Sequence, residues 1–169
     1  GARPGTIASR AGQVRVYGVN ESWKQLARDG VGLGLAGNEV AISTRLATAL
    51  GVAAGDEVLM TLEMPTSIPK DSLLGEKDET SRQIPLVVKT VLPESSSFGQ
   101  FGLVPNQQVP LSAFVDLSLL QDRLDLSAAR ATRRSAARVG RVNTLFVVPR
   151  TGVNEAAALD QLQAIAKAT

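Results

Sequence analysis

The chain has 169 residues, 44% of them apolar, and its formal net charge of +2 is too small to favour nucleic acid as a partner. This length and apolar content are sufficient for one globular domain, or for two small ones that share a core. The chain contains no cysteine and no histidine, which excludes disulfides, thiol nucleophiles, imidazole bases and the commonest zinc-ligand sets.

The first predicted elements are a strand and a short helix. "QVRVYGVN" alternates valines with polar or small residues, so Gln13 to Gly18 is predicted to be a half-buried strand. Asn20 is a candidate N-cap for the helix predicted in "ESWKQLARDG". The glycine-rich "GVGLGLAGN" is predicted to form a loop, with Leu33 and Leu35 turned inward.

The most regular stretch of the sequence runs from Asn38 to Pro65. "EVAIS" predicts a strand, Ser43 is a candidate N-cap for the helix "TRLATAL", and Gly51 ends that helix. The chain then turns at Gly55 and Asp56 into a second strand, in which apolar positions alternate with mixed ones. We predict that this unit is structural and carries no catalytic residue.

The second half of the chain predicts two more strands and two more helices. "RQIPLVVKTVLP" is typical of a strand, and Pro85 places its start near a sheet edge. In "PLSAFVDLSLLQDRL", Ser112 is a possible cap and the apolar spacing predicts a helix from about Ser112 to Arg123. "RVNTLFVVP" predicts the last strand, and "NEAAALDQLQAIAKA" an amphipathic helix capped by Asn154.

These elements together predict an α+β fold with two lobes. Residues 1–30 and 108–169 would form an α/β lobe built from the two ends of the chain. Residues 31–107 would form a β-rich lobe inserted into it.

Four segments, in this order, carry a resemblance to a known family: "VRVYGVNESW", "NEVAISTRLATALGVAAGDEVLM", "VPLSAFVDLSLLQDRL" and "GRVNTLFVV". They resemble the extracytoplasmic domain, the MacB-like periplasmic core, of FtsX-like ABC transporter permeases, over almost the whole chain. The resemblance depends on the order and spacing of the four segments together. A single motif is not specific, because "LGVAAGDEV" also resembles short barrel units of unrelated β-proteins. The family's domain begins with a strand and a helix upstream of "GTIAS", so the resemblance implies that the α/β lobe of this chain is incomplete.

The resemblance implies a cell-membrane protein whose domain, with a porter-like α/β lobe and a sabre-like β-rich lobe, lies on the extracytoplasmic side and is not an enzyme. The implied partners are the permease's transmembrane helices, a cytoplasmic ATPase subunit or domain, and a periplasmic substrate or adaptor protein, in a transporter that can be dimeric. No cofactor, metal or catalytic residue is expected. The alternative is a small β-barrel accessory module that binds a ligand for a catalytic neighbour; flanking apolar segments of about 20 residues would favour the permease.

Four apolar residues in polar or glycine-rich stretches are candidate partner contacts: Leu73, Leu74, Phe98 and Phe101. The two leucines could form an exposed patch, although burial against the sheet is favoured. The two phenylalanines could be apolar tips of a loop, or they could fold back to plug the end of the β-rich lobe.

Two charged runs each have a plain explanation. The run from Lys70 to Arg82 offers four carboxylates to calcium, but their spacing does not match a calcium loop, and a solvated loop is favoured. The arginine-rich stretch from Ala128 to Arg138 could meet anionic lipid headgroups, at about 1 kcal/mol per charge. A solvated helix or loop is favoured there too, and the resemblance makes this stretch an insertion.

Overall fold

A computed structural model describes residues 9–27, 32–63, 81–103, 110–132 and 135–144, together with Ala156, Asp160 and Gln163. The strands are β1 (Arg15–Val19), β2 (Glu39–Ser43), β3 (Glu57–Glu63), β4 (Ser81–Leu92) and β5 (Ser112–Asp116). The helices are a 3₁₀ helix (Glu21–Gln25), α1 (Thr44–Leu50) and α2 (Leu117–Arg123). The fold is therefore mixed α and β, in agreement with the predicted class at this coarse level.

The five strands form one mixed sheet in the order β1-β5-β2-β4-β3. β1 is parallel to β5 and β2 is parallel to β4, whereas the β2–β5 and β3–β4 pairs are antiparallel. Strands from both predicted lobes thus belong to the same sheet, because β2 lies within residues 31–107 and β5 within residues 108–169. The division into two lobes stays a prediction, and the sheet runs across its boundary.

Two groups of buried side chains cover the two faces of the sheet. The first core cluster includes Val40, Ile42, Leu46, Ala47, Ile84, Leu86, Val88, Ala113, Val115 and Leu119. The second core cluster consists of Val19, Ala27, Ala41, Leu92, Phe98 and Phe114. Neighbouring residues of β2 and β5 belong to different clusters because successive side chains of a strand point to opposite faces. The centre of the sheet is therefore buried on both sides.

The predicted strand-helix-strand unit is confirmed in its details. The Ser43 hydroxyl accepts the backbone N–H of the third helical residue at 3.4 Å, as an N-cap does. Gly51 ends α1 with a φ of 68°, a left-handed conformation that glycine adopts without strain. Gly55 has a φ of 95°, and the Asp56 carboxylate accepts the Ala53 N–H at 2.8 Å to close the turn before β3.

Pro85 interrupts β4 without breaking a hydrogen bond of the described sheet. The Val87 N–H donates to the Asn38 carbonyl on the β2 side, whereas the Val88 N–H donates to the Asp56 carbonyl on the β3 side, each at 2.9 Å. Alternation along β4 therefore directs position 85 away from β3, and β2 begins only opposite Val87. The predicted edge position of Pro85 is confirmed.

The helix predicted to begin at Ser112 is wrong over its first five residues. Residues Ser112–Asp116 are β5, which lies between β1 and β2, and the helix starts at Leu117. Four successive buried residues show no periodicity, and hydrogen-bonding strands on both sides, together with aromatic and β-branched side chains, favour a strand. Asp116, and not Ser112, is the cap: its carboxylate accepts the Ser118 N–H at 2.8 Å.

The chain's N-terminal predictions are confirmed with small shifts. β1 lies one or two residues later than predicted, and the helix after it is a 3₁₀ helix. Asn20 caps that helix by accepting the Ser22 N–H at 3.1 Å. Leu33 and Leu35 pack, partly buried, against the second core cluster.

The C-terminal predictions are only partly covered by the described residues. Residues 141–144 are not in a strand, and the rest of the predicted last strand lies outside the described residues. Ala156, Asp160 and Gln163 are helical and exposed, in agreement with the amphipathic helix predicted there. The proposed cap, Asn154, lies outside the described residues.

Candidate functional site

A crevice lies where the carboxyl ends of the parallel strands β1 and β5 meet. Val19 ends β1, Asp116 ends β5, and the two are register partners. The crevice has a volume of about 430 Å³ and is bounded by the 3₁₀ helix, the 32–35 loop and the first turn of α2. Ligands of open α/β sheets bind outside the carboxyl ends of the strands, and this volume is typical of a small-molecule site.

The polar side chains of the crevice are largely engaged within the fold. Asn20 and Asp116 cap the helices that follow them, each through a backbone N–H two residues later. Gln121 donates from its side-chain nitrogen to a backbone carbonyl of the 135–144 segment at 3.0 Å. Glu21 and Trp23 add a carboxylate and an aromatic ring to the wall. The described lining has no lysine or arginine, so it suits a neutral or cationic small molecule better than an anion.

An aromatic cluster lies beside the crevice on the face of the sheet that carries the second core cluster. Its rings are those of Tyr17, Trp23, Phe98, Phe101 and Phe114. The centroid of Trp23 lies 4.9 Å from that of Phe101 and 6.4 Å from that of Phe98. Such pairs contribute about 0.5–1.5 kcal/mol each beyond the burial of their area. The cluster therefore fixes the 3₁₀ helix to the loop that follows β4.

The structure places the two candidate phenylalanines differently. Phe98 is 5% exposed and packs in the second core cluster, so its ring has folded back and offers little surface to a partner. Its ring packs against Phe114 of β5 and Trp23 of the 3₁₀ helix, and both of these elements belong to the predicted α/β lobe. Phe98 therefore does not contact the β-rich lobe alone. Phe101 is half-buried, and its partner-contact role stays a prediction.

Gly99 explains how this loop turns tightly enough to bury Phe98. A Cβ atom at this position would overlap the carbonyl oxygen of Pro93. The Ser96 side chain accepts the Gly99 N–H at 3.0 Å and donates to the same Pro93 carbonyl at 2.7 Å. Only glycine allows this close approach of two backbone segments.

The remaining candidates lie partly or wholly outside the described residues. Leu73, Leu74 and the four carboxylates considered for calcium all fall in residues 64–80, which are not described. In the arginine-rich stretch, Ala129 and Arg138 form an antiparallel bridge with N–H to carbonyl distances of 2.7 and 2.8 Å. Its described part is an exposed loop, which is one of the two predicted forms.

An ion pair ties the glycine-rich loop to the sheet. The Lys89 ammonium contacts the Glu39 carboxylate at 2.7 Å and the Gly34 carbonyl at 2.5 Å. Glu39 also accepts the Ala36 N–H at 3.1 Å. The hydrogen bond from Lys89, and then that from Ala36, hold the pKa of Glu39 below its ordinary value. These contacts fix the wall of the crevice that the 32–35 loop supplies.

Neither a metal-binding cluster nor a membrane-spanning helix is found among the described residues. No group of three or more acidic side chains in that part of the chain could hold a metal ion. None of the helices described above is long and apolar enough to cross a membrane.

Sequence reasoning missed the crevice because it missed β5. Once "SAFVD" is recognised as a buried strand, Asp116 becomes the residue at its carboxyl end and the cap of the following helix. The apolar run followed by an aspartate carried that signal, since aspartate is one of the residues preferred at a helix N-cap.

A scan of protein-family models found none that matches the chain, and a search of curated proteins found no match either. Neither comparison therefore assigns the chain to a family.

Proposed function

We propose that this chain is the extracytoplasmic domain of an FtsX-like ABC transporter permease. In this role it is not an enzyme. It transmits the conformational change driven by a cytoplasmic ATPase to a periplasmic or cell-envelope substrate or partner. The resemblance of the four quoted segments is the origin of the proposal, and the remaining paragraphs give what supports it.

The observation that carries the proposal is the pairing of three of those segments. "VRVYGV" contains β1, "NEVAIS" contains β2 and "LSAFVD" contains β5, and these strands are adjacent in the sheet. The three segments therefore meet in one sheet. A structural, force-transmitting domain needs such residues, because they hold its sheet together.

Transmission of motion requires a stiff body that responds to small differences in contact energy. The sheet centre meets the first requirement, because Ile42, Phe114 and Val115 are at most 1% exposed and close-packed interiors transmit strain. An early element and a later one both join this body: β1 pairs with β5, and Leu119 of α2 belongs to the first core cluster. Movement of either flank would therefore reach the centre.

The experiment that tests this proposal uses the absence of cysteine from the chain. Ala49 is exposed on α1, whereas Ala47, two residues earlier, is 6% exposed in the first core cluster. In the full-length protein, without other cysteines, Ala49→Cys should react with a membrane-impermeant maleimide in intact cells. Ala47→Cys is the matched control and should react only after denaturation.

Labelling of Ala49→Cys only after the cells are permeabilised would overturn the permease proposal. The crevice then favours the second candidate, an accessory module that binds a ligand for a catalytic neighbour. Trp23, the chain's single tryptophan, lines the crevice and would report binding by a change in its fluorescence. The described strands form one five-stranded sheet, and the small β-barrel form of such a module stays a prediction.

A further inference from the structure

The outer edge of β3 presents backbone groups that bind no described strand. β3 is the last strand of the sheet and pairs only with β4 among the described elements. The Val88 N–H donates to Asp56, so alternation turns the backbone groups of Val58 and Met60 toward β4. Those of Glu57, Leu59 and Thr61 face outward. Such an edge can accept an added strand.

An exposed apolar surface adjoins this edge. Leu59 is 59% exposed and lies opposite Pro85 in the β3–β4 register. Val87, opposite Glu57, is 41% exposed on the same face. The alternate residues of β3, Val58 and Met60, pack against the first core cluster. A strand added at the edge would therefore cover Leu59 on one face and extend the core on the other.

The charges at this edge favour a basic partner. Glu57 has no ion-pair partner among the described residues, since Lys89 pairs with Glu39 and Arg82 pairs with Asp125 at 3.0 Å. A partner strand with a basic residue opposite Glu57 would form a favourable cross-strand pair.

The charge at this edge disfavours a second copy of this chain as the partner. β3 contains no lysine or arginine, so a second β3 strand would bring no basic residue opposite Glu57 in any register.

We propose that the outer edge of β3 binds an extended peptide segment of another protein by strand addition. The segment has an apolar residue opposite Leu59 and a lysine or arginine opposite Glu57. Backbone hydrogen bonds provide the affinity, and the acidic position selects the basic residue.

The test uses the full 169-residue chain and two fluorescent peptides. The peptide "KVTVVVK", paired antiparallel to β3, places its last lysine opposite Glu57 and a valine opposite Leu59, and "EVTVVVE" is its charge-reversed control. Fluorescence anisotropy should show binding of the lysine peptide and weaker or no binding of the glutamate peptide. Glu57→Lys should weaken the lysine peptide by roughly threefold to tenfold and strengthen the glutamate peptide.

Thr61→Pro tests the backbone contribution separately. The Thr61 N–H faces outward, so proline here removes a hydrogen bond to the added strand and none to β4. Pro85 is tolerated in β4 for the same reason, because its nitrogen faces away from β3. Its unfolding midpoint should stay close to that of the wild type while the lysine peptide no longer binds. Equal binding of both peptides, or binding unchanged by Thr61→Pro, would overturn the proposal. If the wild-type chain self-associates and Thr61→Pro abolishes that self-association, the proposal is also overturned, because the β3 edge then binds a second copy of this chain.

This inference does not depend on the permease proposal. Maleimide labelling tests on which side of the membrane the domain lies, and peptide binding tests the β3 edge. Each result can fail while the other stands.

Discussion

The two buried serines of the core have opposite consequences for stability. The Ser43 hydroxyl accepts the N–H groups of Leu46 at 3.4 Å and Ser112 at 3.2 Å. The Ser112 hydroxyl is buried and has no hydrogen-bond partner among the described residues. Ser43→Ala leaves two buried donors unpaired and should lower the free energy of unfolding by about 1–3 kcal/mol. Ser112→Ala removes an unsatisfied group and should be neutral or stabilising; urea unfolding of both variants measures the contrast, and equal losses would contradict it.

Glu39 gives the glycine-rich loop a dependence on pH. Its pKa in the folded protein is lowered from 4.5 by the hydrogen bonds from Lys89 and Ala36. The unfolded chain therefore binds a proton before the folded one does, so the contribution of Glu39 is complete at neutral pH. It is lost as the pH falls below 4.5 and through the folded pKa.

The measurement is thermal unfolding of the wild type and of Glu39→Gln between neutral pH and pH 3. The wild type should be the more stable at neutral pH, and the difference should shrink as the pH falls. A difference that grows toward low pH would show that the ion pair has the opposite effect.

At the scale of elements, the sequence predicts the helix ends and turns that are determined by residues close together in the chain. The strand-helix-strand unit is right because Ser43 and Gly51 mark the ends of α1, and Gly55 with Asp56 forces the turn into β3. β5 could not be predicted this way. Its residues fit a helical spacing, and only hydrogen bonding to the strands on either side makes the extended conformation more stable than the helix. The crevice depends on β5, so the sequence did not predict the crevice either.

Gly51 provides a prediction for one helix end. Its φ of 68° is left-handed, and among the described residues no side chain or backbone beyond its chain neighbours and its own helix lies within 4 Å of where a Cβ would be. The cost of Gly51→Ala is therefore conformational and not steric, about 1 kcal/mol. Gly51→Asn should cost less, because asparagine tolerates this conformation. Denaturant midpoints of the two variants test the order; a smaller loss for alanine would contradict it.

At the scale of the whole molecule, one sheet joins both core clusters, so we expect their cooperative loss. Trp23 reports on the second core cluster, and a cysteine at Ala47 would report on the first. In the Ala47→Cys variant, tryptophan fluorescence and thiol reactivity should give the same midpoint in urea. Two separated transitions would indicate lobes that unfold independently, as the division at residues 31 and 107 would allow.

The parallel pairing of β1 with β5 has a mechanical consequence. Arg15 lies opposite Ser112, and Val19 lies opposite Asp116. Tension applied through the segments outside these strands would enter β1 at its first residue and leave β5 at its last, at opposite ends of the ladder. The interstrand hydrogen bonds would then be loaded in shear and would have to break together, whereas an antiparallel pair pulled in the same way opens one bond at a time.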